Sequence, residues 1–304
     1  MEPSPQTNIA PPPAGAATHP GDAFDSADEV VIQPKRGWIG VEWSELVRYR
    51  ELLYFFVWRD FKVKYKQAIL GVGWSVIVPL MFLAIYAVIA TFINGGASLR
   101  STGVPVVLWT FCGLVPWNFL QRSITDGGAS LLNNQHLMTK VYLPRLYLPT
   151  AAVSNGLVDM AIALGLLALI GTYYHFSMGF VPSWQIVFVP LLVLLAFIAG
   201  LGIALLLSAA TVLYRDLRFL TPLAAQVGVW VSGVALDVHV FKPWKQALFA
   251  LNPFTGIIYG FRSAITGEPW QWLYLGSSIV LSIGLLVFGL FYFRRVERRF
   301  ADIA

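Results

Sequence analysis

The chain has 304 residues, of which 57% are hydrophobic and only 12% charged, and its net charge is +5. A soluble protein of this length would carry roughly 25% charged residues, so this composition, with apolar runs of membrane-spanning length, predicts an integral membrane protein. The cations lie beside those apolar runs, which argues against nucleic-acid binding. Cys112 is the sole cysteine, which excludes an intrachain disulfide and a thiolate metal cluster.

Residues 1–34 are predicted to be a disordered tail. They are rich in proline, alanine, glycine and acidic side chains, with three consecutive prolines at 11–13. Such a segment cannot bury an apolar face. It does not resemble a signal peptide, because no apolar core follows a basic start. A solvated tail and a partner-binding arm both remain open.

Residues 35–70 are predicted to form an amphipathic interface helix region on the cytoplasmic face. Apolar side chains recur at spacings of three and four between Trp43 and Val57, opposite charged ones. The basic and aromatic run from Trp58 to Lys66 then leads directly into an apolar run. This pattern is typical of a helix lying on an anionic leaflet, and basic residues before a span place its start in the cytoplasm.

Residues 71–304 are predicted to form an all-α domain with six transmembrane helices and both termini in the cytoplasm. Each apolar run is close to the ~20 residues that a bilayer core requires. The glycine-rich stretch 126–128 predicts the end of the second helix. The predicted spans are about 72–93, 104–124, 148–173, 186–213, 219–236 and 273–293.

The distribution of basic residues supports this topology. Only Arg100, Lys242, Lys245 and Arg262 fall on the predicted outer side, and the other 17 of the 21 lysines and arginines fall on the inner side. One span more or fewer would place the C-terminal arginine cluster on the wrong side of the membrane.

The segment 237–270, between the fifth and sixth spans, predicts a pair of short re-entrant helices. Its second half is apolar but is interrupted by Pro253, Gly256 and Gly260, so it is too short to cross. Re-entrant backbone is stable only against protein or a water-filled cavity. This segment is therefore the candidate outer gate.

No catalytic pattern is present in the sequence. It contains no GxxxxGK[ST], and even the dipeptide Gly-Lys is absent, so the chain is not expected to bind ATP by itself. The four histidines make no metal spacing and no nucleophile–base pair. We expect a transport or binding scaffold with no metal and no cofactor of its own.

The segment 133–149, NNQHLMTKVYLPRLYLP, is the most informative loop. Pro144 and Pro149 flank Arg145 and restrict the backbone where the chain returns to the membrane. An ATPase domain that drives motion of the membrane helices would need a rigid contact segment of this kind. We call residues 133–143 the knob. A plain loop obeying the positive-inside rule would have the same composition, so spacing alone leaves both interpretations open.

Asp159 lies inside the third predicted span. A carboxylate at this depth usually faces protein or water rather than lipid. It could pair with a basic group or a backbone donor, or stay protonated. The sequence does not identify its partner.

With these features the chain resembles the transmembrane subunit of ABC-2 type exporters, in the branch that exports O-antigen, capsule and teichoic acid polysaccharides. The resemblance covers about residues 43–304. Each motif alone is weak, and together they are specific for the family. They are RDFK at 59–62, the 133–149 loop, YRDL at 214–217, NPFT at 252–255, and the tail FRRVERRFAD at 293–302.

The resemblance implies a multi-pass half-transporter in the bacterial cytoplasmic (inner) membrane. Two copies would pair as a homodimer around a pore, and two separate ATP-binding cassette subunits would bring ATP and Mg to the cytoplasmic side. The pore would admit a glycan carried on a polyprenyl diphosphate. An ABC-2 exporter of a drug or lipid, and a membrane-embedded glycosyltransferase, are the alternatives.

The resemblance also implies sites. ATP-driven motion would pass through the knob and the interface helix, and the residues implied in this coupling are Asn133, Asn134, Lys140, Arg145, Arg215 and Asp216. The residues implied in the outer gate are Asn252, Pro253, Tyr259 and Arg262.

Two further sets of residues suit such a substrate, each with a plainer alternative. Cations at the inner mouth could attract a diphosphate head group or could anchor the helix to anionic lipid; they are Arg59, Lys62, Lys64 and Lys66. Aromatic residues in the spans could stack on sugar faces or could serve as core and belt residues; they are Tyr86, Phe92, Trp109, Phe111, Trp117 and Trp230.

Overall fold

The computed structural model describes residues 50–66, 73–93, 103–140, 144–234 and 237–297. The predicted tail lies outside these residues, as do 35–49 and 67–70 of the predicted interface region. The side chains of Lys64, Lys66 and Lys140 are also outside the described set.

Within these residues the regular elements are helices. In chain order they are α1 (Arg50–Lys66), α2 (Trp74–Ile93), α3 (Val106–Arg122), α4 (Gly128–Asn133), α5 (Gln135–Lys140), α6 (Tyr147–Met178), α7 (Val189–Leu213), α8 (Leu217–Val231), α9 (Pro243–Phe249), α10 (Pro253–Thr266) and α11 (Trp272–Glu297). A π-helical turn occupies Ser123–Gly127, and 3₁₀ turns occupy Trp184–Phe188 and Val238–Val240.

A helix lies at each of the six predicted spans, namely α2, α3, α6, α7, α8 and α11. In the described part of the chain, three helical stretches are long and apolar enough to cross a membrane: Tyr147–Met178, Trp184–Leu213 and Trp272–Glu297. Trp74–Ile89 and Leu217–Val231 are apolar but shorter. The chain is therefore membrane-embedded, and the full count of six stays a prediction.

The predicted end of the second helix is wrong. Gly127 and Gly128 do not break it, because the chain continues from α3 through the π turn into α4. The glycines serve close packing instead: a Cβ on Gly127 would lie 2.6 Å from the Cβ of Ala204 on α7. At that distance only glycine lets the two helices approach.

The fold is built around α3 and α10, whose side chains are almost all buried. Helix α10 packs on α3, α7 and α11, and α7 and α11 form the most extensive helix pair. Their backbones touch at Gly202 and Gly289, where a Cβ on Gly289 would lie 2.4 Å from the Gly202 carbonyl oxygen. The burial of α10 matches what a non-crossing helix at membrane depth requires. That α9 and α10 dip into the outer leaflet stays a prediction.

Contacts gather at two ends of the bundle. At one end, α1 meets the turn after α4, and Arg145 at the start of α6 meets the last residue of α11. At the other, the start of α3, the turn after α6, the end of α8 and α10 come together. We call these the inner end and the outer end, following the sequence-based topology.

Candidate functional site

Helix α1, which belongs to the predicted interface region, is hydrogen-bonded to the knob at the inner end. The Arg59 guanidinium Nη2 donates to Asp60 Oδ1 at 2.7 Å and to Asn134 Oδ1 at 3.0 Å. Asn134 in turn donates from Nδ2 to the Ser130 carbonyl at 2.8 Å, which holds it at the turn between α4 and α5. A predicted head-group residue and a predicted coupling residue are thus bonded to each other. This contact joins α1 directly to the knob.

The exposed face of α1 is aromatic. Tyr54, Phe55 and Trp58 are all exposed, and the Tyr54 and Trp58 rings stack with centroids 6.5 Å apart. The Lys62 Nζ lies 5.3 Å from the Trp58 ring centroid, a cation–π contact that leaves the ammonium accessible. Of the described cations predicted to meet the head group, Lys62 lies on this face, whereas Arg59 is bonded to Asp60 and Asn134.

Arg145 binds the C-terminus of the last helix, α11, at the same end. Its Nη1 donates at 2.9 Å to the carbonyl of Glu297, the final residue of α11. Carbonyls at a helix C-terminus lack intrahelical partners and carry partial negative charge, so a cation there is favourable. Arg215 and Asp216 lie exposed in the turn between α7 and α8.

Asp159 has partners on two other helices. Its Oδ2 is paired with Nη1 of Arg122, at the end of α3, and its Oδ1 accepts from the Ser75 hydroxyl at 3.1 Å, at the start of α2. One carboxylate therefore joins the third predicted span to the inner ends of the first two. An acid and a base that both fall in predicted spans are a signal for such a pair, but their separation of 37 positions along the chain conceals it.

A polar cavity of about 310 Å³ adjoins this carboxylate. It lies between α1, the inner part of the second predicted span with the π turn and α4 that follow it, and α6. Its lining includes Arg59, Asp60, Asn134, Arg122 and Asp159. The contacts of α1 with the turn after α4 and the Arg122–Asp159 ion pair therefore open onto one space.

The outer end is organised by Arg262, which is fully buried on α10. Its guanidinium carbon lies 3.4 Å from the Trp109 ring centroid. Its nitrogens donate to the carbonyls of Gly233 at 2.8 Å, Val234 at 2.9 Å and Trp109 at 3.4 Å. The Trp109 indole Nε1 donates to Glu268 at 3.2 Å. This arginine thus joins α10 to the start of α3 and to the segment just after α8.

The other predicted gate residues bind the same segment. Asn252 caps α10 by accepting from the Phe254 amide at 3.0 Å, and it donates to the Val231 carbonyl at 3.4 Å. Pro253 occupies the first turn of α10, where its missing N–H has no cost. The Tyr259 hydroxyl donates to Asp237 at 2.9 Å and accepts from the Val238 amide at 2.8 Å.

The six candidate pore aromatics divide by burial. Trp109, Phe111 and Trp117 are buried in the bundle, and Trp117 packs edge-on against Phe254 of α10 with centroids 6.2 Å apart. In this conformation no face of those three rings is available to a sugar. Phe92 and Trp230 are exposed, and Tyr86 lies edge-on to Trp230 with centroids 6.1 Å apart. The first and fifth predicted spans meet at this pair.

Sequence reasoning missed several residues at these sites, namely Ser75, Arg122, Asp237 and Glu268. Arg122 counted only as one inner cation, and Glu268 only as part of a loop. Their partners are backbone carbonyls or side chains far along the chain, which leave no local pattern. Within the described residues, no three histidine, cysteine, aspartate or glutamate side chains are placed to hold a metal ion.

Taken together, the fold and these contacts define a membrane-embedded protein that is helical throughout its described part, with a short buried helix, α10, at one end and α1 hydrogen-bonded to the turn after α4 at the other. The chain belongs to the ABC-2 type transporter family, whose model matches residues 51–266.

Curated relatives cover most of the chain. The O-antigen export system permease protein RfbA of Myxococcus xanthus is 26% identical over 221 residues, covering 72% of this chain and 82% of that protein. A protein of the same name from Klebsiella pneumoniae is 25% identical over 254 residues, covering 83% of this chain and 95% of its own length. A second Klebsiella pneumoniae protein of that name is 24% identical over 255 residues.

Proposed function

We propose that this chain is the transmembrane subunit of an ATP-driven exporter that moves a lipid-linked polysaccharide, of the O-antigen, capsule or teichoic acid type, across the bacterial cytoplasmic membrane. The observation that carries the proposal is family membership together with similarity to O-antigen export permeases along nearly their whole length. ATP hydrolysis takes place in a separate ATP-binding cassette subunit, two copies of which bring ATP and Mg to a homodimer of this chain.

The contacts at the inner end support a coupling role for the knob. The turn at Asn134 is bonded to α1, and Arg145 is bonded to the end of α11. A displacement of α5 by the ATPase therefore reaches the interface helix and the last span through direct hydrogen bonds. Converting Arg145 to a glutamate would place a carboxylate against the negative end of α11, which is unfavourable.

The exposed face of α1 supports capture of an anionic head group. The Lys62 ammonium on Trp58 is accessible, and the sequence continues with Lys64 and Lys66. Charge-assisted bonds to phosphate oxygens are among the stronger polar contacts. In this proposal Lys62 binds the diphosphate, while Arg59 holds the knob. The exposed aromatics Phe92 and Trp230 are the pore residues proposed to contact sugars.

The test is deletion of the gene, followed by measurement of the surface polysaccharide and of the cytoplasmic pool of polyprenyl-linked glycan. Loss at the surface with accumulation inside is the expected result, because export is then the blocked step. Loss at the surface with no internal pool would assign the protein to synthesis. An unchanged surface would assign it to another ABC-2 substrate, such as a drug or a lipid.

A further inference from the structure

Three spans converge on one carboxylate near the inner end. Asp159 on α6 binds Arg122 at the end of α3 and Ser75 at the start of α2. Ser75 is buried, and the side chains of Arg122 and Asp159 are 29% and 11% exposed. The group is therefore inside the bundle without being sealed from water. It joins α2 and α3 to α6 in addition to the packing that these helices share elsewhere.

Cavities lie on both sides of the ion pair. Arg122, Gly156 and Asp159 line the polar cavity of about 310 Å³, and the same three residues line a second one of about 170 Å³ between α2, α3 and α6. An ion pair bordered by space can separate and rejoin with less rearrangement than a pair enclosed by close-packed side chains. The geometry is that of an exchangeable contact.

The charge of the larger cavity argues against phosphate as its ligand. Two arginines face it, Arg59 and Arg122, against three aspartates, Asp60, Asp126 and Asp159. An anion entering would meet more carboxylates than guanidinium groups, and like charges repel. Arg122 is thus better suited to hold Asp159 than to receive a diphosphate.

Arg122 stands directly before the π turn at Ser123–Gly127. Side chains donate to backbone carbonyls around this turn: Ser123 donates to Phe119 and Thr125 to Gln121, and Thr211 of α7 donates to the Gly128 carbonyl at 2.6 Å. Such turns are frequent at functional sites in helices. Beyond it the chain runs through α4 to α5, the helix proposed to meet the ATPase.

We propose that the Arg122–Asp159 pair is a positioning contact that transmits displacement of α5 to the first and third spans. This inference rests on the proposed export function. When α5 moves, α4 and the π turn move Arg122, and Asp159 and Ser75 carry α6 and α2 with it. Helix α2 bears Tyr86, which meets Trp230 of α8, so the motion reaches the proposed pore. Without the pair, ATP hydrolysis proceeds while α2 stays in place.

The test compares three variants in proteoliposomes that hold the full complex with its ATP-binding subunits. The substrate is the lipid-linked glycan that accumulates in the deletion strain, and the readout is glycan exported per ATP hydrolysed. Asp159→Asn removes the charge. The double variant R122M/D159L replaces the pair with apolar side chains, a change that usually preserves stability. The control is Lys245→Met, which removes an exposed cation from α9, at the end of the bundle away from the proposed coupling contacts.

We expect Asp159→Asn and R122M/D159L to hydrolyse ATP while export per ATP falls about tenfold, a typical coupling effect, and the control to match wild type. A purely structural pair would instead change the melting temperature and leave that ratio alone. Wild-type export per ATP in R122M/D159L would overturn the inference, as would an equal fall in the control. If the wild-type complex hydrolyses ATP and moves no glycan, it is the proposed function that fails.

Discussion

Two arginines lie near opposite ends of the second predicted span: Arg122 belongs to its inner end, and Arg262 of α10 contacts its outer end. Their surroundings differ in kind. Arg262, at the outer end, has no exposed surface, stacks on Trp109 and is bonded to three backbone carbonyls. Arg122, at the inner end, is 29% exposed, binds the Asp159 carboxylate and borders two cavities. The same side chain is enclosed at one end and hydrated at the other.

The difference distinguishes contacts that stay in place from contacts that can rearrange. We call the contacts of Arg262 the fixed joint and those of Arg122 the movable joint. A cation that has lost all its water cannot leave its partners without a cost of several kcal/mol, whereas a hydrated one exchanges partners at little cost. The contacts of Arg262 hold the end of α8 and the start of α3 against α10. Motion that begins at the inner end is therefore expected to rearrange the contacts of Arg122 and to move the group around Arg262 as a unit.

The largest expected effect is on the enclosed arginine. Arg262→Met leaves the carbonyls at the end of α8 buried without donors, so we expect a loss of about 3–5 kcal/mol of unfolding free energy. The measurement is thermal or denaturant unfolding of the purified protein in detergent. Lys245→Met, which removes an exposed cation on α9, is the control and should unfold like wild type. A small loss for Arg262→Met would contradict the fixed joint.

The next largest effect is expected at two closely packed glycines, one near each end of the bundle. A Cβ on Gly256 of α10 would lie 1.9 Å from the Tyr274 backbone carbonyl, and one on Gly127 would lie 2.6 Å from the Ala204 Cβ. We expect Gly256→Ala to cost about 2–3 kcal/mol and Gly127→Ala about 1–2 kcal/mol, as overpacking does. Unfolding measurements on the two variants show which one loses more free energy of unfolding. Gly276→Ala is the control, since a Cβ there meets nothing within 4 Å.

The helices could be predicted from the sequence because apolar runs and basic flanks are local features. The end of α8 differs from the prediction: the predicted fifth span extends to 236, but the helix ends at Val231, before Gly233 with φ +81°. Asp126-Gly127-Gly128 has the composition of a break and yet continues the helix, because those glycines face α7. Glycine alone does not distinguish a turn from a close contact.

The sites were predictable only in part, because their partners are distant or lie on the backbone. Arg262 was expected at the gate from resemblance, but the carbonyls that it binds have no sequence signature. Asp159 was expected to have a partner, and Arg122 lies 37 residues away. Trp109 and Trp230 looked alike as aromatic residues in spans. Only packing places the first in the core and leaves the second exposed.

A smaller stability effect is expected at the movable joint. Asp159→Leu removes the carboxylate and leaves Arg122 beside a cavity that admits water, so we expect a loss of about 1–2 kcal/mol, less than for Arg262→Met. The same unfolding measurement applies. The double variant R122M/D159L should recover most of the loss, because no charge remains uncompensated. A loss equal to that of Arg262→Met would mean that both ends are fixed alike.

The smallest effect on stability is expected at Trp230, where the effect on export should be clear. Trp230→Ala removes one edge-to-face partner of Tyr86 and costs about 0.5–1 kcal/mol. Because the ring is exposed on α8, next to the first predicted span, we expect surface polysaccharide to fall while the protein still assembles. Trp184→Ala is the matched control, an exposed tryptophan on the turn before α7. If the two variants leave equal, wild-type amounts of glycan at the surface, Trp230 serves as a belt residue in lipid, and the path of the glycan lies elsewhere.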